Sequence, residues 1–262
     1  MKLDYVLYDP TGNITILVET PVPAASQPVY AAKLLAAEPT AEQVGFLAPG
    51  GAGYEMALRM AGGEFCGNAT MSAAAYECAR RGYAGRVRVR VSGAAEPVET
   101  EITGEDDGGW IGSVQMPVPT GPENRVLTLD GKVFQLPLMR YDGISHLIVT
   151  EPMERGFAER AVRRWCDTLG VDGLGLMLLD DASNTLTPLV YIPGSDTLYW
   201  EHSCASGTAA LGTFFAETKK TPISQYVAEP GGILKVSAAP GGGLTICGRV
   251  KALRRGNLDT ND

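Results

Sequence analysis

The chain has 262 residues, a formal net charge of −8 and 45% apolar residues. That length suits one large domain or two smaller ones with real cores, and an acidic chain without a concentrated basic stretch argues against a nucleic-acid partner. The opening Met1-Lys2-Leu3-Asp4-Tyr5 is not a basic segment followed by an apolar one, and no apolar run reaches the length of a membrane span, so a soluble, cytoplasmic protein with no membrane contact is expected.

The 32 glycines and 17 prolines punctuate short Val/Ile/Leu runs, which points to strands and turns rather than a helical bundle. Taken in order, residues 14–18 read as a strand, 28–37 as a helix and 44–47 as a buried strand. A small-residue turn then carries Cys66 and opens a helix over 69–81. Arg86, Arg88 and Arg90 alternate with Val, the pattern of a strand with one wet face, and this strand is expected to pair with one over 110–116. Pro117-Val118-Pro119-Thr120-Gly121-Pro122 reads as an exposed linker. The same order follows it: a strand over 147–149, a helix over 158–169, a strand over 174–179, a small-residue turn with Cys204, a helix over 207–218, and paired strands over 233–236 and 244–250.

The words recur as well as the order. Tyr8-Asp9 returns as Tyr141-Asp142, Val44-Gly45-Phe46-Leu47 as Leu174-Gly175-Leu176-Met177, and Cys66-Gly67-Asn68-Ala69-Thr70 as Cys204-Ala205-Ser206-Gly207-Thr208. Val91-Ser92 returns as Val236-Ser237 and Gly112-Ser113-Val114 as Gly248-Arg249-Val250, with every offset between 130 and 145 residues. A common order at near-constant spacing indicates two homologous halves. Their boundary falls in the Pro/Gly cluster: residues 1–118 carry Cys66, and 119–262 carry Cys204, with a final strand that can pack back on the first half. Homologous halves usually share a site in the cleft between them.

There are five cysteines, an odd number with no C-x-x-C pair, which argues against a disulfide framework and against a zinc site. Cys78 and Cys166 fall in helical patterns and Cys247 in an apolar strand, without repeat partners, and read as packing residues. Cys66 and Cys204 stand at equivalent positions just before a helix, among residues small enough for a ligand to approach the backbone. The first amides of a helix lack partners and its dipole favours negative charge there. Such a turn can seat a carboxylate and is expected to lower a thiol's pKa from about 8.5 toward neutrality. Two such thiols suit inversion of an α-carbon: one removes a proton from one face and the other supplies a proton to the opposite face. Amides aimed at the carboxylate stabilise the enediolate that forms as the proton leaves. A phosphate loop would carry a Lys after its glycines, and none is present. A cysteine-protease pair would need a His base, and only His146 and His202 exist. A non-enzymatic binding protein on the same scaffold is the rival from a different class.

The Cys-turn-helix repeats resemble the diaminopimelate epimerase superfamily, which includes proline racemases and phenazine-biosynthesis isomerases. Within it, the chain is most similar to the histidine racemases that supply D-histidine to staphylopine-type metallophores. The likeness rests on residues 10–18, Glu42-Gln43-Val44-Gly45-Phe46, Gly63-Glu64-Phe65-Cys66-Gly67-Asn68-Ala69-Thr70-Met71-Ser72, Val114-Gln115-Met116-Pro117, residues 188–193, and Trp200-Glu201-His202-Ser203-Cys204-Ala205-Ser206-Gly207-Thr208-Ala209. It implies an α+β fold of two pseudo-symmetric domains, each a β-barrel-like sheet around a central helix, and a PLP-independent amino-acid racemase with no metal or other cofactor. The oligomeric state stays open, a homodimer included. Carried over residue by residue, Cys66 and Cys204 are the two bases. The amides of Gly67, Asn68, Ala205 and Ser206 hold the α-carboxylate. Asn13, Gln43, Glu64 and Glu201 line the pocket, and His146 falls where the epimerases carry a His beside a catalytic thiol. The approach to Cys204 is shorter than the epimerases' Gly-x-Gly-Glu-Thr and lacks their Arg for a distal carboxylate. Ala205 replaces the usual Gly, and His202 stands where Asn is commoner in the histidine racemases. Histidine is therefore the expected substrate and diaminopimelate the alternative.

Overall fold

In a computed structural model, which describes residues 1–260, the chain divides into two compact units. One comprises Met1–Met116 and the stretch from Cys247 onward, and the other Pro117–Ile246.

The first unit begins with β1 (Lys2–Pro10) and β2 (Thr15–Val18), then α1 (Gln27–Ala37), β3 (Gln43–Gly51) and β4 (Tyr54–Met60). Helix α2 (Gly67–Arg81) follows, then β5 (Gly85–Val91), β6 (Val98–Gly104) and β7 (Trp110–Gln115). β2 and β3 are parallel, and α1 is the crossover that parallel neighbours require. The β1 to β7 path continues to β16 (Gly242–Asp259), which returns to pair antiparallel with β1, so eight strands close into a barrel. Helix α2 packs against β1, β2, β4, β5, β6 and β7, which puts it on the barrel axis. Its sequence explains how it fits. An eight-stranded barrel has little more room than its own side chains fill, and the buried run Gly67-Asn68-Ala69-Thr70-Met71-Ser72-Ala73-Ala74-Ala75 is nearly all small. Gly112 of β7 lies so close to Met71 that a Cβ there would come within 3.1 Å of its side chain.

The second unit opens with the hairpin β8 (Thr120–Leu129) and β9 (Lys132–Arg140), then β10 (Ser145–Val149), α3 (Arg155–Leu169), β11 (Leu174–Asp180), β12 (Thr185–Ile192) and β13 (Thr197–Trp200). Helix α4 (Ala205–Lys219), β14 (Ile223–Glu229) and β15 (Gly232–Ala239) complete it. β10 and β11 are parallel, with α3 as their crossover, and α3 buries Ala158, Ala161, Val162 and Trp165 against β11 and β12. Helix α4 packs against β8, β9, β10, β11, β14 and β15, again with small residues on its buried positions.

Several expectations are corrected. The strands over 86–91 and 110–116 are not direct partners: β6 lies between β5 and β7 and pairs with both. Thr120, Gly121 and Pro122 open β8 rather than forming a linker. The helices carrying Cys66 and Cys204 at their heads begin two residues earlier than periodicity suggests, at Gly67 and Ala205. The alternation at 86–91 behaves as read: Val87, Val89 and Val91 are buried, and the three arginines are exposed. Among the described residues no helix is long and apolar enough to cross a membrane.

Candidate active site

Each of the two cysteines caps a helix. Cys66 is the N-cap of α2, and its sulfur accepts the Ala69 amide at 3.4 Å. Cys204 is the N-cap of α4, and its sulfur accepts the Gly207 amide at 3.4 Å. A sulfur here takes the place that a Ser or Asp oxygen ordinarily holds, satisfying one of the helix's orphan donors. Gly207 is required by space, since a Cβ there would collide with the Met177 sulfur and come within 3.2 Å of Cys204 Sγ.

The first unit surrounds Cys66 with amides. Its thiol donates to Oε1 of Gln43 at 2.9 Å. The Gln43 nitrogen donates to the Thr15 hydroxyl at 2.8 Å and to Oδ1 of Asn13, so the oxygen is the end left for the thiol. Asn13 in turn donates to Glu42 at 2.7 Å. The parallel register sets this up: Thr15 of β2 stands opposite Gln43, the first residue of β3. The approach to Cys66 is tied down by Ser92, whose hydroxyl donates to the Glu64 carbonyl at 2.8 Å and accepts the Met60 amide at 2.9 Å. Glu64 itself is exposed, and its carbonyl rather than its carboxylate makes this anchor. Gly67 and Asn68 are the buried first residues of α2.

The second unit surrounds Cys204 with ionisable groups. The Glu201 carboxylate lies within hydrogen-bonding reach of its thiol. Its backbone amide donates to Glu229 Oε2 at 2.7 Å. Ser206 Oγ stands 3.6 Å from Cys204 Sγ and 3.0 Å from Nε2 of His146. Tyr141 donates to the Ser206 carbonyl at 3.3 Å and packs edge-on against the His146 ring. His146 is 0% exposed, and Nδ1 lies against Gly175, where any Cβ would collide with it. Nδ1 has no hydrogen-bond partner among the described residues. A buried orphan acceptor is tolerated better than a buried orphan N–H. The ring proton therefore belongs on Nε2, donating to Ser206 and leaving the Ser206 hydroxyl free to donate to Cys204.

The electrostatics differ from the expectation for Cys204. A helix N-terminus alone would lower its pKa. Burial pushes the thiol well above its ordinary value, the Glu201 and Glu229 carboxyls push the same way, and Ser206 opposes them. Desolvation and two acidic neighbours outweigh one amide at 3.4 Å. Burial pushes His146 down to about 3, so it is neutral at pH 7. Burial and then Cys204 push Tyr141 well up. Cys78 and Cys166, which have no repeat counterpart, are buried: burial raises Cys78, and burial with Asp167 and Asp172 raises Cys166 to about 11.

Within the first unit the fold thus joins Asn13, Gln43 and Cys66, while the Glu64 side chain is exposed. Within the second it joins His146, Glu201, Cys204, Ala205 and Ser206. Sequence reasoning missed Thr15, Glu42, Tyr141 and Glu229. Of these, Glu229 left a readable signal: in Gln225-Tyr226-Val227-Ala228-Glu229 it shares the inward alternation with Val227, directly before a Pro-Gly-Gly turn. Among the described residues, no three His, Cys, Asp or Glu side chains are grouped to hold a metal ion.

Comparison with known proteins bears on what these turns do. The family model described as "Histidine racemase CntK N-terminal domain" matches residues 2–257. The chain is 30% identical to a histidine racemase of Staphylococcus aureus over 246 residues, covering 90% of this chain and 88% of that one. It is 29% identical to a histidine racemase of Fusobacterium nucleatum over 247 residues, with coverage of 89% and 88%. Among solved structures it is similar to a hydroxyproline epimerase from Agrobacterium vitis with bound trans-4-hydroxy-L-proline, with a TM-score of 0.74, 15% identity, and coverage of 100% and 93%. It is also similar to a phenazine biosynthesis protein of the PhzF family from Enterococcus faecalis, with a TM-score of 0.63, 16% identity, and coverage of 99% and 100%. At these identities the structural likenesses show a shared fold.

Proposed function

Because the chain belongs to the histidine racemase family, we propose that it interconverts L- and D-histidine by a two-base mechanism in which Cys66 and Cys204 are the bases. The observation that carries this reading is the matched capping geometry, in which each sulfur accepts the third amide of its own helix at 3.4 Å. One thiolate takes the α-proton and the other thiol delivers a proton to the opposite face, so the configuration inverts without any group being transferred. The first amides of α2 and α4, those of Gly67, Asn68, Ala205 and Ser206, hold the α-carboxylate as it gains enediolate character. Glu201 is the acceptor into which the Cys204 thiol can release its proton, and Ser206, oriented by His146, donates to the thiolate that results. Gln43 holds the corresponding place at Cys66, where its neutral amide oxygen accepts a hydrogen bond from the thiol and takes no proton.

The two units, each running strand, crossover helix, strand, capped helix, are read as copies of one half in the manner of diaminopimelate epimerase. This chemistry asks nothing of pyridoxal phosphate or of a metal. A cytoplasmic location and the supply of D-histidine to an opine-type metallophore are the finer parts of the same reading.

The test is deuterium wash-in at the α-carbon together with chiral analysis, in D₂O, after dialysis against a chelator, with histidine, meso-diaminopimelate, alanine and proline compared under one assay. Exchange and inversion fastest with histidine supports the proposal. Faster turnover of any other substrate leaves a racemase with a different specificity. Exchange with none of them points to a binding protein. Activity that returned only on adding a metal or pyridoxal phosphate would overturn the mechanism.

A further inference from the structure

Glu229 has no role in the reaction as set out, yet it is fastened to the segment that carries Cys204. The alternation of β14 turns it inward, and it is 6% exposed. Oε2 accepts the backbone N–H of Cys204 at 2.7 Å, and Oε1 accepts the Thr208 hydroxyl one turn into α4. The next turn adds a third tie, since Gly231 donates its amide to the His202 carbonyl at 2.7 Å. One carboxyl thus bridges the residue ahead of the helix and the helix's first turn. The first unit does otherwise: its matching threonine, Thr70, donates to the Cys66 carbonyl at 2.6 Å.

We propose that Glu229 is a positioning residue for Cys204, which fixes the backbone of the thiol-bearing turn and remains uncharged so that the thiol can ionise beside it. The proposal rests on the reading of Cys204 as one of the two bases. A carboxylic acid suits the place, because its carbonyl oxygen accepts from Cys204 and its hydroxyl can share a hydrogen bond with Thr208. Burial supports the neutral form, pushing Glu229 up to about 8. The titratable groups that bear on it are the Cys204 thiol and the Glu201 carboxylate. β15 meets it with Gly232, which brings no side chain, and α4 meets it with Thr208. An ionised Glu229 would add a second negative charge beside a forming thiolate that already faces Glu201, and like charges disfavour ionisation.

The experiment compares wild type, Glu229→Gln and Glu229→Leu from about pH 6 to about pH 10, by histidine racemisation and by the alkylation rate of the Cys204 peptide. Gln keeps the acceptor for Cys204 and cannot ionise. Its kcat near neutrality is expected within about threefold of wild type with KM unchanged, while its alkaline limb and the onset of Cys204 alkylation each move by about one pH unit, the limb upward and the onset downward. Leu loses both hydrogen bonds, and kcat is expected to fall at least about tenfold with KM little changed. If Leu does not fold, the Gln profiles decide. Gln curves that superimpose on wild type, or a Gln variant as impaired as Leu, would overturn the inference. A wild type that fails to racemise histidine while its alkylation onset still shifts in Gln would overturn the assigned reaction and leave this coupling standing. Racemisation by wild type with no such shift would overturn the coupling alone.

Discussion

The Cys66 thiol donates to the side-chain oxygen of Gln43 at 2.9 Å, and that oxygen carries no charge. Cys204 has an acidic partner instead, Glu201, and the difference makes the two thiols chemically unequal. Replacing Gln43 with Glu places an anion beside Cys66 and removes the donor that holds Thr15 and Asn13. A nearby like charge raises a thiol's pKa. Gln43→Glu is expected to shift the onset of Cys66 alkylation upward by about one pH unit or more, and to slow racemisation at least about tenfold. An unchanged alkylation profile would show that the Gln43 contact does not control the thiol.

Replacing either cysteine removes one base of a pair. Cys66→Ser and Cys204→Ser are each expected to lower racemisation by at least about a hundredfold, since a hydroxyl is a far poorer acid than a thiol at pH 7. Both should fold, because a serine oxygen is a good N-cap and can accept the Ala69 or Gly207 amide. Cys78→Ser, on the buried face of α2, should cost little activity. The measurements are chiral turnover and thermal melting, and near wild-type turnover in either cap variant would end the two-base assignment.

Two buried groups set opposing slopes of stability against pH. His146 falls from 6.5 to about 3 on folding, so the unfolded chain takes up its proton first as pH drops. Its contribution is present above 6.5 and is lost as pH falls toward 3. Glu229 rises from 4.5 to about 8, so its contribution is present below 4.5 and is lost as pH climbs toward 8. Each slope is at most about 1.4 kcal/mol per pH unit. Between 4.5 and 6.5 the two oppose each other and nearly cancel. Denaturant unfolding across this range, with His146→Gln and Glu229→Gln subtracted in turn, isolates each arm. The His146 variant should lose the acid-side fall, and the Glu229 variant the fall between 6.5 and 8. A difference curve of the opposite sign would show that the group is not buried as described.

Gly175 leaves no room for a side chain. A Cβ there would collide with His146 Nδ1 and stand 2.7 Å from the Met177 methyl. Gly175→Ala is expected to cost about 1–3 kcal/mol, the range for overpacking a tight core. It should also slow turnover by displacing His146 from Ser206, whereas pure overpacking would lower the melting temperature alone. Full activity with an unchanged melting temperature would show that β10 and β11 separate freely here.

Much of the local structure was legible because its causes are local. The strands over 14–18 and 174–179, the arginine-valine alternation in β5 and the four helices follow from periodicity that a few residues carry. The places of Cys66 and Cys204 at two helix heads follow equally from small residues before an apolar helical run. Neighbours distant in sequence were not legible in the same way. Gln43 enters as a pocket-lining residue by family resemblance alone, and the fold shows its contact with Cys66 and the physical cause in the parallel register of β2 and β3. No pattern near 85–115 announces that β6 separates β5 from β7, because strand partners are chosen by whole-barrel closure. The protonation of Cys204 lies furthest from sequence reading. Its helix position predicts a lowered pKa, and only the assembled unit brings burial, Glu201 and Glu229 to bear on it from other parts of the chain. Sequence determined which atoms could do the chemistry. Tertiary structure decided their charge, because charge depends on desolvation and on neighbours that the chain supplies from afar.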